Sequence, residues 1–99
     1  MKIEKNEIYT VKLSSGEEIV ARFKGETKDA YEIEHPIMVV VAQKEIRLIA
    51  GLFTNDNDNS VVLNKNNCVM MGITRDDIRK SWAEATGTHG TQSKKVVTE

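Results

Sequence analysis

The sequence predicts an all-β protein: a small, strongly bent antiparallel barrel of five to six strands, followed by a C-terminal helix. Three observations point there. Apolar and polar residues alternate with a period of two through the first quarter of the chain. Turn chemistry recurs at Ser14-Ser15-Gly16-Glu17, Thr27-Lys28-Asp29 and Asn64-Lys65-Asn66-Asn67. Helical spacing shows only after residue 74, where Ile78, Trp82 and Ala85 recur on one face.

In order along the chain, Tyr9, Val11 and Leu13 alternate with Thr10 and Lys12, as in a half-buried strand. Gly16 suits the positive φ of the turn that follows. In the second strand Ile19, Ala21 and Phe23 face one way, and Glu18, Arg22 and Lys24 the other; Gly25 marks a bend. Tyr31 and Ile33 open a third strand, which Pro36 must kink or bulge because it has no N–H for the ladder. Residues 37–42 are apolar on both faces, and residues 46–53, after the break Gln43-Lys44-Glu45, are largely so. A sheet with one solvated face alternates, so something must cover the second face: the terminal helix or a neighbouring subunit. Asn55 to Asn59 form a polar loop, residues 60–63 a short strand and residues 68–73 the last strand. Thr74 is the expected helix N-cap, with Asp76 and Asp77 in the first turn, a helix over about 75–86 and Gly87 to end it. So short a helix should dock through Trp82. Residues 1–87 make one domain, and the polar, small residues 88–99 read as a flexible tail.

Composition narrows the function. Ninety-nine residues fit one domain with a modest core. Fourteen basic and 15 acidic residues leave a net charge of -1, so any nucleic-acid contact needs a local patch. The lone Cys68 excludes an internal disulfide or a cysteine-based zinc cluster, and it reads as a small buried hydrophobe. Residues 1–7 hold no apolar run, and no stretch is long enough to cross a membrane, so a cytoplasmic protein is expected. Asp56 and Asp58 alternate with asparagines but lack the glycine and distal glutamate of a calcium loop. His35 and His89 have no ligand spacing, and the consecutive Asp76 and Asp77 point apart. No catalytic constellation, cofactor motif or metal site is expected.

The pattern Val11-x-Leu13-x-x-Gly16-x-x-Ile19-x-Ala21-x-Phe23 resembles the first motif of the Sm-like (LSm/Hfq) family, with Ala21 in a slot that usually holds glycine. Val62 to Met71 is similar to the second motif, a strand, tight turn and strand. The resemblance runs from about Tyr9 to Ile73, and is nearest to divergent versions encoded by tailed phages of cyanobacteria. It implies an Sm-like, SH3-like barrel, a ring of five to seven identical subunits joined edge to edge, and single-stranded RNA as a partner in RNA metabolism. The departures are specific. The family's turn aspartate falls on Thr27, its base-stacking residue on Ala30 and its base-reading asparagine on Tyr31. Its Arg-Gly pair is replaced by Asn64-Lys65, and a helix follows the barrel instead of preceding it.

The two turns that build the family's pocket here offer Lys28, Tyr31, Asn64, Lys65, Asn66 and Asn67. Tyr31 would stack on a base, Lys65 would meet a phosphate, and the asparagines would bond base edges. The same residues also read as a half-buried packing tyrosine and an ordinary hairpin turn. The matching alternative function is a structural or protein-interaction ring that has lost its RNA pocket.

Overall fold

The alternating segments pair as expected. In a computed structural model that describes residues 2–52, 54–56 and 59–87, β1 (Glu7–Leu13) and β2 (Glu18–Glu26) form an antiparallel hairpin. Its turn closes through Gly16 N–H donating to Leu13 O (2.9 Å), with Gly16 at φ 98°. Next come β3 (Ala30–Ala42), β4 (Glu45–Ala50), β5 (Val61–Asn64), a 3-10 turn (Lys65–Asn67), β6 (Cys68–Ile73) and α1 (Asp76–Thr86). The sheet order is β4-β3-β2-β1-β6, all antiparallel, with β5 beside the first part of β3 and β4 beside its second part. The expected all-β fold is present as a six-stranded, strongly bent sheet with one C-terminal helix; the sheet is not closed. The apolar stretch 46–53 contributes the separate strand β4, joined to β3 across Gln43 and Lys44, both at positive φ. Residues 88–99, Phe53, Asn57 and Asp58 lie outside the described residues.

Two bulges bend the sheet. Between the pairs Val20↔Ile37 and Arg22↔Glu34, the two residues His35 and Pro36 oppose the single Ala21. His35 takes φ 51° there. Between Phe23↔Ile33 and Gly25↔Glu32, Lys24 is the extra residue, on the other strand. Each bulge kinks its strand and increases the twist. The kinks expected at Pro36 and Gly25 are therefore both present.

The bend gives the sheet two cores. On one face Tyr9, Val11, Ile19, Ala21, Phe23 and Ile33 are buried. There Phe23 meets Tyr9 and Tyr31 edge-on at centroid distances of 5.4 and 5.2 Å. On the other face Ile8, Val20 and Ile37 pack under Trp82 and Ala83 of α1. The helix therefore covers part of the second face, as the loss of alternation requires. Farther along the β3–β4 hairpin, Val41 (69% exposed) and Ile46 (43%) stay uncovered.

Arg22, on the side of β2 opposite Ile19, Ala21 and Phe23, is buried because α1 lies over it. Its guanidinium carbon sits 5.5 Å from the Trp82 ring centre. Nε and Nη2 are buried with no hydrogen-bond partner among the described residues. An unmet buried donor costs on the order of 1–3 kcal/mol, and more on a charged group, which the ring face offsets in part. Arg22→Met keeps the unbranched stem and removes the unmet donors. Its unfolding midpoint in urea should equal or exceed that of the native chain; a clearly lower midpoint would mark the guanidinium as a net stabiliser.

The helix departs from expectation at its start. Thr74 is not the N-cap: it is buried, and its hydroxyl lies 2.9 Å from that of Thr10, tying the end of β6 to β1. Arg75 is the cap residue and makes no side-chain cap bond. Its guanidinium instead grips Asp77 at 2.9 and 2.6 Å. That hydrogen bond, first of its causes, lowers the Asp77 carboxyl to about 2. Because the folded value lies below the ordinary one of 3.8, the contribution of this pair is complete above that value and fades as pH falls toward 2. The far end behaves as expected, with Gly87 at φ 74° donating to Ala83 O (2.8 Å). Trp82 docks as expected, but Ala83 joins it in place of Ala85, which is exposed. Arg79 and Thr86 of the same helix are half-buried as well.

Candidate nucleic-acid interface

The predicted site residues sit at one end of the bent sheet, where three turns meet. The β2–β3 turn is held by Thr27, whose N–H donates to Ala30 O (2.8 Å) and whose Oγ1 accepts from Ala30 N (3.2 Å). The 3-10 turn after β5 is tied to it by Lys65 N–H donating to Asp29 O (2.9 Å). The same turn is tied to the β1–β2 turn by Ser14 N–H donating to Asn67 O (2.8 Å). These backbone bonds bring residues far apart in sequence to one rim.

Tyr31 opens β3 opposite Glu26 on β2 and Leu63 on β5. The ring is half-buried against Phe23, so the packing role expected of a strand-opening tyrosine is present. The Lys65 ammonium lies 5.0 Å from the ring centre and donates to Glu26 Oε2 at 2.5 Å. This hydrogen bond to Glu26, first among its causes, raises the Lys65 pKa, so the side chain is cationic at neutral pH. Tyr31 and Lys65 thus form one contact unit, with Glu26 as a third member.

The asparagines divide. Asn64 Oδ1 accepts from Asn66 N–H (3.0 Å), so it is spent on shaping the turn. Asn66 and Asn67 are exposed, and Lys28 is exposed in the neighbouring turn. Asp29 and Glu32 lie on the same rim, Glu32 accepting from Ser60 Oγ (2.8 Å). Cations and acids are therefore interleaved here.

Glu26 was not among the residues expected from the sequence. Its pairing with Tyr31 depends on the extra residue Lys24, and a bulge of one residue has no unambiguous sequence signal. An acid immediately before a predicted turn was the available clue.

No protein-family model matches this sequence, and no curated protein matches it significantly. Chemistry must be read from the side chains.

Cys68 packs beside the core, its Sγ 3.6 Å from Asn64 O, and burial raises its thiol pKa. A raised pKa disfavours the nucleophilic thiolate. In the polar segment, Asn59 N–H and Nδ2 donate to the Asp56 backbone carbonyl and carboxylate at 3.0 Å each. Among the described residues no three His, Cys, Asp or Glu side chains converge as metal ligands, and no helix is long and apolar enough to cross a membrane. The other face of the sheet carries a groove of about 420 Å³ between α1 and the β3–β4 hairpin, lined by Lys12, Val20, Val39, Ile46, Met70 and Ile78.

Proposed function

We propose that this chain is an Sm-like protein that assembles into a ring of five to seven identical subunits and binds single-stranded RNA on the rim around Tyr31 and Lys65, modulating RNA metabolism. The observation that carries the RNA reading is the contact between an aromatic face and a cation, with exposed amides on the adjoining turn. That is the minimum needed to stack a base, meet its phosphate and touch its edge. Its resemblance to phage-encoded Sm-like versions supports reading it as a protein that acts in the cytoplasm of an infected host.

Assembly is supported by the strands. Among the described residues β5 pairs with β3 alone and β6 with β1 alone, so each has an unpaired edge. Val62 (74%), Met70 (63%) and Ile73 (75%) on these two strands are exposed. Unpaired apolar edges invite association, and a head-to-tail pairing of β5 with the next subunit's β6 would remove both at once, giving a ring where the rotation between subunits closes.

Fluorescence anisotropy with a pool of short single-stranded RNAs tests the RNA reading. Binding should be strongest at low salt and weaken steadily as salt rises. An assembly that ignores RNA at the lowest salt would contradict it. A second reading, a protein-interaction ring, is favoured by Glu26 occupying Lys65 and by the acids Asp29 and Glu32 nearby. Co-purification of protein partners without nucleic acid would support it.

A further inference from the structure

We propose that Glu26 is a built-in competitor for the RNA phosphate: it holds the Lys65 ammonium over Tyr31, and a nucleotide binds only by taking that cation from it. The inference rests on the RNA reading above and adds how the site is regulated.

The geometry sets up the competition. Lys65 and Glu26 are separated by 39 residues in sequence and meet because the 3-10 turn is bonded to Asp29 while Glu26 pairs with Tyr31. The side chains are 26% and 41% exposed, so the pair stands at the solvent boundary where a phosphate can reach it. Exposed pairs of this kind contribute little to folding, and their partners exchange readily. The cation also lies over a face of the Tyr31 ring, so a base stacking on that face must move it. A carboxylate oxygen and a phosphate oxygen are alternative acceptors for the same ammonium donor. Lysine rotamers at a surface change in nanoseconds, so release needs no backbone rearrangement.

Two consequences can be measured. Transfer of Lys65 from carboxylate to phosphate leaves Glu26 bare, and it recruits a cation from solution. That uptake cancels part of the counterion release that drives RNA binding, so the native chain should show a shallow salt dependence at this contact. Removing the Glu26 charge should tighten binding by about two- to fivefold, the fold-change expected when an exposed pair no longer opposes the ligand. It should also steepen the slope of log affinity against log salt by up to about 0.7, one single-strand phosphate contact.

The experiment compares the native chain, Glu26→Gln and Glu84→Gln by anisotropy with one single-stranded RNA over a salt series. Glu84 is exposed on α1 and controls for net charge. Glu26→Thr, which suits the end of a strand, serves as a second variant should glutamine disturb the fold. The expected result is tighter binding and a steeper slope for the Glu26 variants only. Equal affinity and slope in a native chain that does bind RNA would overturn the competition and leave the RNA reading standing. The same gain in Glu84→Gln would overturn it as a general charge effect. Absence of binding in every chain at the lowest salt would overturn both.

Discussion

Trp82→Ala should destabilise the chain by about 3–5 kcal/mol, the ordinary cost of emptying a buried aromatic site. Trp82 is fully buried and is the anchor of α1 on the sheet, packed with Ile8, Val20 and Ile37. Its Nε1 donates to the His35 carbonyl (2.9 Å), at the bulge where Pro36 interrupts the ladder. Losing the indole therefore leaves a cavity, takes a donor from His35 and removes the ring face beneath Arg22. A domain of this size has on the order of 5–15 kcal/mol in all, so the variant should stand close to unfolding at room temperature. Urea denaturation followed by circular dichroism measures this. Trp82→Phe, which keeps most of the ring and loses the donor, should fall between the two. A loss below about 1 kcal/mol for alanine would mean that the helix is not held through this residue.

Tyr31→Leu should weaken RNA binding by about five- to a hundredfold, the range that base stacking on one aromatic side chain contributes. Leucine is chosen because it can still pack against Phe23, where alanine would also open the core. Tyr31→Phe keeps the stacking face and should bind nearly as the native chain does. Anisotropy on all three, with unfolding midpoints measured alongside, separates stacking from packing. If leucine binds RNA as tightly as tyrosine, the aromatic face has no part in recognition.

The architecture was readable where one interaction decides it. The period-two pattern over Tyr9 to Phe23, the turn at Gly16 and the helix stop at Gly87 depend on a few neighbouring residues, and each is where the sequence places it. The kink at Pro36 follows from one missing N–H. Errors arose where tertiary contacts overrode local preference. Thr74 has ideal cap chemistry, yet its hydroxyl bonds Thr10, more than 60 residues away in sequence. Arg22 falls on the polar side of an alternating strand, but α1 covers that side too. Ala85 shares the expected helix face, but docking rolled the helix toward Ala83. At the candidate site, the meeting of Tyr31 with Lys65 follows from which turns adjoin. The third member, Glu26, needed the strand register: Gly25 marks a bend there, but not which residue is the extra one.

The proposed molecule is a closed assembly of identical subunits with an RNA-binding rim. Native mass spectra of the purified protein, recorded with and without a mixed pool of short single-stranded RNAs, test it most directly. The account predicts a single closed species of five to seven subunits that gains the mass of bound RNA. A monomer at all concentrations would contradict the edge-pairing argument and, with it, the Sm-like reading. A closed ring that stays free of RNA would leave the assembly standing and move the function to the protein-interaction alternative.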